Sequence, residues 1–443
     1  MSANSYPPPL SAKDKNSFAY PTMKDRVPVI LSKVVDHLTR NRERLVGETG
    51  ETGREELKSI IGALSQLRYE VMTNKAAAPL RDSCSDTSEW NADLQRHADK
   101  GEEMKWFDSA WLWMECYLYR RIYEACQMSS VLKKLDVFAD QKQTAFSDSF
   151  QPISTLTMYL LEANRALTKG ASETEVQRYF TEFLQMSLWG NKCDLSISAG
   201  SENSQVNCPL EQLTKLKSYI LIDDSQTIFQ SLSNTKQQRN GQGGRVDIIL
   251  DNAGFELVTD LCFADLLTTS GLASEVHFYC KAIPWFVSDV TPEDFHWTLK
   301  QMSSMNHLAI SQLCQKWKRH LEGGKWVLEV NDFWTLPYDY SQMLEYCPSL
   351  YSQLSQASLI IFKGDLNYRK LVGDLQWETT TDFTQSLRGF NPAPLCVLRT
   401  LKSDVVVGLK SGQASEVVAK DANWMIDGQW AVISVSLGNA GSS

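Results

Sequence analysis

The stretch Arg245–Asp260, RVDIILDNAGFELVTD, decides the fold, because an apolar run stops abruptly at Asp251 and Asn252 and a helical pattern begins just beyond Gly254. Val246, Ile248, Ile249 and Leu250 form the β-rich run expected of a strand buried on both faces of a parallel sheet. From Phe255 onward, Leu257, Val258, Leu261 and Cys262 recur at helical spacing. The two oxygen-bearing side chains therefore sit on a strand-to-helix turn, and in open α/β sheets ligands bind at the carboxyl ends of strands. The following helix N-terminus presents free N–H groups and a positive dipole end, which suits an anion such as phosphate. Asp and Asn at such a turn also serve simply as helix caps, so the rest of the chain has to decide between the two uses.

C-terminal to Gly244, strand-like runs alternate with helical ones. The expected strands are Val246 to Leu250, Val276 to Cys280, Trp326 to Val330, Leu359 to Phe362, Leu395 to Leu398, Val405 to Val407 and Ala431 to Val435. Helices are expected at Phe255 to Leu267, Phe295 to Leu321 and Ser349 to Gln356. That alternation predicts an α/β domain, residues 245–443, built on a mostly parallel sheet covered by helices.

The N-terminal half reads as helical. Residues 1–17 are polar and Pro-rich and are expected to be a flexible arm. A helical region is expected over 18–207, with amphipathic stripes at Val27 to Leu38 and Leu57 to Leu67 separated by GETGETGR. An aromatic helix is expected from Trp106 to Gln127, and two more run through Ile153 to Leu167 and Glu173 to Leu188. Within the aromatic helix Arg120 reads either as half of a buried ion pair or as a group reaching a substrate anion. Asn191 and Asp194, after Gly190, read either as a helix-ending turn or as part of a pocket wall. Residues 208–244 are expected to be a linker helix, Leu210 to Leu232, and a polar loop.

At 443 residues, 43% hydrophobic and with 13 Trp, the chain is long and apolar enough for a substantial core. Its net charge of -9 argues against a nucleic-acid partner. No stretch approaches the roughly 20 apolar residues that span a bilayer, so no membrane partner is expected. Ten scattered cysteines without C-x-x-C spacing read as reduced thiols, which points to the cytoplasm and, with it, the nucleus.

Three other stretches bear on the chemistry. Asp289 follows the second expected strand, so Asp251, Asn252 and Asp289 can converge as hard oxygen ligands suited to Mg²⁺ or Mn²⁺. The run KGDLNYRKL, from Lys363, places Asp365, Asn367, Arg369 and Lys370 after another apolar strand. Arg399 and Lys402 follow a third, where two cations would hold a phosphate by charge-assisted hydrogen bonds. None of the six His residues shows zinc spacing, and no Walker loop or G-x-G-x-x-G is present.

Taken together, LDNAGFELVTDL, WGNKCDLS, WFVSDV, KGDLNYRKL and the closing RTLK resemble the metal-dependent damage-control phosphatase family, with RTLK marking the branch also named acidic-residue or protein-glutamate O-methyltransferase. The resemblance extends to the aromatic WLWMECYLYRR helix and the SFAYPTMKDR opening. It implies a helical N-terminal region joined to a three-layer α/β/α domain with a Rossmann-like sheet, with Asp251, Asn252 and Asp289 holding a divalent metal (Mn, Co, Ni or Mg). It also implies that the phosphorylated substrate is contacted at Asp365, Leu366, Asn367, Tyr368 and Arg369 and at Lys402, beside the metal ligands Asp251 and Asn252.

Three functional readings follow. The leading one is hydrolysis of small sugar phosphates, such as fructose phosphates, or of damaged phosphometabolites. The second, implied by the branch name, is S-adenosylmethionine-dependent methylation of a protein carboxylate, with Glu256 and Asp289 facing the cofactor. The third is a non-catalytic phosphometabolite sensor, against which a full carboxylate set argues, since phosphate alone is recognised by cations and N–H groups.

Overall fold

A computed structural model describes residues 6–190 and 209–438, with backbone alone at 209–212. Seven strands form one sheet: β1 (Ile220–Asp223), β2 (Gly244–Ile249), β3 (Ala273–Cys280), β4 (Trp326–Val330), β5 (Leu359–Lys363), β6 (Leu395–Thr400) and β7 (Ala431–Ser436). Their order across the sheet is β1-β7-β6-β5-β2-β3-β4. The five strands from β6 to β4 are mutually parallel, while β7 runs antiparallel to β6 and β1 parallel to β7. The chain moves outward from β2 to β3 and β4, then returns to the other side of β2 for β5 and β6. The reversal lies between β2 and β5, where an open α/β sheet leaves a crevice at its carboxyl edge.

Strand alternation gives the sheet two apolar faces. Val246, Ile248, Val276 and Phe278 pack under the helices Phe150–Thr168, Glu173–Leu188 and Phe255–Thr269. Ile249, Tyr279, Ile360 and Phe362 face the opposite core, shared with Val27–Arg40, Arg42–Met72 and the aromatic helix Trp111–Gln127. The helices N-terminal to residue 190 thus have no core of their own: they cover both faces of the sheet and complete the three layers.

Several boundaries differ from the sequence reading. Residues 9–17, expected as a flexible arm, are bound along their length. The Leu10 N–H donates to Asp374 O at 2.8 Å, the Trp111 N–H donates to Leu10 O at 2.8 Å, and Ser17 Oγ donates to Asp404 at 2.9 Å. The expected helix Leu210 to Leu232 contains strand β1, since an apolar run as short as ILID carries no period that tells strand from helix. The helix Ser225–Gln238 instead runs into the expected polar loop. Val405 to Val407 is not a strand: the Val405 carbonyl accepts from Arg399 and the Val407 N–H donates to Tyr368 Oη. The helix Arg42–Met72 continues through GETGETGR, kinked only at Gly50, and the aromatic helix begins at Trp111 rather than Trp106. Among the described residues no helix is long and apolar enough to cross a membrane.

Candidate active site

Asp251 follows β2, and Gly364 and Asp365 follow β5, the two strands paired at the reversal point through Ile249 and Phe362. The loop after β3 folds back onto this edge. The Val290 N–H donates to Asp251 O at 2.8 Å, the Ala253 N–H donates to Ser288 O at 2.7 Å, and Asn252 and Asp289 bridge each other through their backbones. These bonds bring Asp251, Asn252 and Asp289 to one point, although 38 positions separate the first from the last. The returning loop holds Phe286 at φ 41° and Val287 at φ 71°. Left-handed backbone at a bulky residue and then a β-branched one is costly, and its surroundings must impose it.

The three side chains line a cavity of about 130 Å³ with Arg26, Glu115, Tyr119, Asp365, Arg369 and Lys402. Burial, then the charges of Glu256 and Asp289, push the Asp251 carboxyl well above its ordinary value, while Lys281 and Lys402 oppose them. Burial raises Asp289 to about 6 against the pull of Lys281, whose ammonium lies 3.4 Å from Oδ2. That oxygen is buried and has no hydrogen-bond partner. Asn252 donates through Nδ2 to Asp251 Oδ2 at 2.6 Å and to Glu256 Oε2 at 2.9 Å, and its Oδ1 accepts from Ser288 Oγ at 2.5 Å.

This donor set fits a hard divalent cation. Two buried carboxylates and an amide oxygen converging on one cavity are the hard donors such an ion takes, with the Lys281 ammonium balancing part of the Asp289 charge. Gly364 adds room for it: a Cβ there would lie 1.9 Å from Asp251 Oδ2. Among the described residues no three His, Cys, Asp or Glu side chains cluster as ligands; the set here is two carboxylates and an amide.

The cations divide into fixed and free. Arg369 is buried; Nη1 donates to Glu115 at 2.5 Å, Nη2 and Nε donate to Asp374 at 2.8 Å, and the guanidinium lies 3.7 Å from the Trp111 ring centroid. Arg399 is fully buried and donates to Asp365 Oδ1 at 2.8 Å, to Ser403 and to the Val405 carbonyl, over the ring of Tyr368. Asp365 also accepts from the Lys402 N–H at 3.1 Å. Burial opposes its charge, but Arg399 and Arg369 prevail and hold it below the ordinary value. Arg399 and Asp365 therefore shape the loop that carries Lys402. The side chains of Lys402 and Arg26 are left without a hydrogen bond or ion pair among the described residues.

The structure therefore brings together Asp251, Asn252, Asp289, Asp365, Leu366, Arg369 and Lys402. Asn367 and Tyr368 turn the other way: Asn367 Nδ2 donates to Lys363 O at 2.7 Å, and Tyr368 Oη accepts from Val407. Neither lines the cavity, although both lie in the helix Gly364–Val372 that does. Glu256 faces Asn252 and Lys363 rather than the cavity. Arg399, expected to hold phosphate, has its donors engaged by protein. Arg120 lies elsewhere, fully buried between Asp82 at 2.6 Å and Asp86 at 2.8 Å. That placement matches its ion-pair reading and removes it from the pocket. Asn191 and Asp194 lie outside the described residues.

Sequence reasoning missed Arg26, which ends a five-residue π-helical turn, Thr22–Arg26; Glu115, a charge in the aromatic helix whose expected role was a buried ion pair, fixes Arg369. A π turn has no strong composition signal, and π turns recur at functional sites. The TMKDR segment gave no residue-level reason to choose Arg26.

Acidic oxygens, the Arg26 and Lys402 cations and a helix N-terminus gather at the reversal point of a parallel sheet, the ligand-binding edge of the open α/β class. Comparison with known proteins narrows that class. The sequence profile of the damage-control phosphatase ARMT1-like domain matches residues 22–417. Damage-control phosphatase ARMT1 of Danio rerio is 47% identical over 98% of this chain and 99% of that protein; the Homo sapiens protein of the same name is 44% identical over 96% and 98%. A solved DUF89 family structure from Pyrococcus horikoshii aligns with 93% of this chain and 96% of its own, at 14% identity and a TM-score of 0.43. The chain belongs to the damage-control phosphatase ARMT1-like family and is an enzyme of the phosphatase class.

Proposed function

We propose that the chain hydrolyses the phosphate ester of small sugar phosphates, fructose phosphates among them, or of damaged phosphometabolites, in the pocket between β2 and β5. Asp251, Asn252 and Asp289 would hold the divalent ion, Mn, Co, Ni or Mg. Bound there, the ion supplies positive charge that polarises the phosphoryl oxygens. The observation that carries the reading is the convergence of the buried Asp251 and Asp289 carboxylates with Asn252 in one cavity that also holds Arg26 and Lys402, whose side chains are unpaired among the described residues.

The protein's own groups do the rest. Lys402 and Arg26 bind the phosphoryl oxygens, and the first-turn N–H groups of the helix Gly364–Val372 add neutral donors. Arg369, fixed by Glu115 and Asp374, is a permanent positive wall that reorganises little during the reaction. Water is the nucleophile in this reading, and a pocket carboxylate takes its proton. Glu256, a contact expected of the methyltransferase reading, pairs with Lys363 and accepts a hydrogen bond from Asn252. The test is phosphate release from a panel of sugar monophosphates by metal-stripped protein, with each ion added back. Restored release that disappears in Asp251→Ala supports the reading, and no release with any ion overturns it.

A further inference from the structure

A second cavity, of about 450 Å³, adjoins the candidate active site and shares Arg26, Phe286 and Ser288 with it. Its long wall is one face of the helix Val27–Arg40, which continues from Arg26 through Lys33 to His37 at helical spacing. Its opposite wall is the left-handed Phe286–Val287 segment, and the Phe286 ring stacks on Tyr119 with centroids 4.5 Å apart. The residues that place Asp289 in one cavity therefore also line the next.

The charge in this second cavity runs against the rest of the molecule. The chain carries a net charge of -9, yet the side chains of Arg26 and Lys33 face the cavity without a hydrogen bond or ion pair among the described residues. His37, at the far end, is engaged by Asp140 at 3.2 Å, which closes the basic stretch with an acid. Seven residues of helix separate Arg26 from Lys33, a rise of about 10 Å. That is close to the span of a six-carbon chain bearing a charged group at each end.

We propose that this cavity is a second anion subsite that receives the distal phosphoryl or carboxylate group of a doubly anionic phosphorylated substrate. Lys33 supplies its cation, and Arg26 stands at the junction between the two anions. The inference rests on reading the adjoining pocket as the site of the phosphate ester.

The test compares a sugar monophosphate, the corresponding bisphosphate and a phosphorylated sugar acid on the full chain with its ion, using wild type, Lys33→Gln and Lys33→Glu. Phosphate release gives KM and kcat, and calorimetry gives binding without relying on turnover. The doubly anionic ligands should bind wild type more tightly. Lys33→Gln should weaken them about three- to fivefold, the range of an exposed ion pair, and Lys33→Glu more. KM for the monophosphate should stay within about twofold. A loss confined to the bisphosphate, or to the sugar acid, identifies which distal group is received. Equal binding of monophosphate and doubly anionic ligands by wild type, or a preference that Lys33→Glu leaves intact, overturns the inference while leaving the phosphatase reading standing. Tight, Lys33-dependent binding without phosphate release from any ligand supports the subsite and overturns the phosphatase reading alone.

Discussion

Gly364, at the turn out of β5, lies so close to Asp251, at the end of β2, that a Cβ on it would fall 1.9 Å from Oδ2. Its φ of +83° adds a second reason for glycine. Gly364→Ala is therefore expected to displace the Asp251 carboxylate and reduce phosphate release by about a hundredfold or more, the scale of losing one transition-state contact. Gly412→Ala is the control. Its φ is +82° but nothing lies within 4 Å of the added methyl, so it bears only the backbone strain of about 1–2 kcal/mol. Equal activity in the two variants would show that the contact with Asp251 is immaterial.

Lys402 and Arg369 line the same cavity but should fail differently. Lys402 is exposed and its ammonium has no hydrogen bond or ion pair among the described residues, so Lys402→Ala should leave Tm unchanged and lower kcat/KM by about two orders of magnitude. Arg369→Ala leaves Glu115 and Asp374 buried without their cation, at about 3–5 kcal/mol of folding stability. Urea denaturation of both variants separates the roles. A stable Arg369→Ala protein would mean that the two carboxylates find other partners.

The reach of the sequence followed periodicity. All five central parallel strands, β2 to β6, were legible because an apolar run ended in a turn, and four of those ends carried polar groups of the site, Asp251, Asp289, Asp365 and Lys402. The short β1 was hidden because four residues do not complete a helical or strand pattern. Arg26 was hidden because it reaches the pocket from the far N-terminal side, through a π turn no composition rule marks. Side-chain direction was also out of reach. In the helix Gly364–Val372, Asp365, Leu366 and Arg369 share one face and Asn367 and Tyr368 turn from it. Arg399 and Lys402, three residues apart in one motif, divide into a buried strut and a free ammonium, because Asp365 and the Ser403 and Val405 carbonyls take the first.

Metal binding should be visible in stability as well as in turnover. A ligand that binds only the folded state raises stability by about 2.7 kcal/mol at a hundred times its Kd. Mn²⁺, Co²⁺, Ni²⁺ or Mg²⁺ added to stripped wild type should therefore raise Tm, and Asp251→Asn or Asp289→Asn should abolish the increment. Metal-free Asp251→Asn should be no less stable than wild type, since it removes a buried acid crowded with Glu256 and Asp289, whereas Asp289→Asn also strands the buried Lys281 ammonium and should lose stability. An undiminished increment in Asp289→Asn would place the ion elsewhere.

Arg120 offers the cleanest pH prediction because it lies outside the pocket. Burial alone would raise the Asp82 carboxyl, but hydrogen bonds from Arg120, Thr87 and the Cys84 N–H outweigh it and hold the group well below its ordinary value. A carboxyl depressed in the folded state adds stability that is complete above its unfolded value, about 3.9, and disappears as pH falls through the folded one. Asp82→Asn should therefore be less stable than wild type at pH 7, and the difference should shrink steadily below about pH 4. Arg120→Ala should lose about 3–5 kcal/mol at pH 7, because it strands Asp82 and Asp86 together. KM for a sugar phosphate should not change in Asp82→Asn, which touches nothing in the cavity. Thermal denaturation in steps from pH 7 to pH 2 reads the first effect, and a gap of equal size throughout would show that the Asp82 charge contributes nothing to the fold.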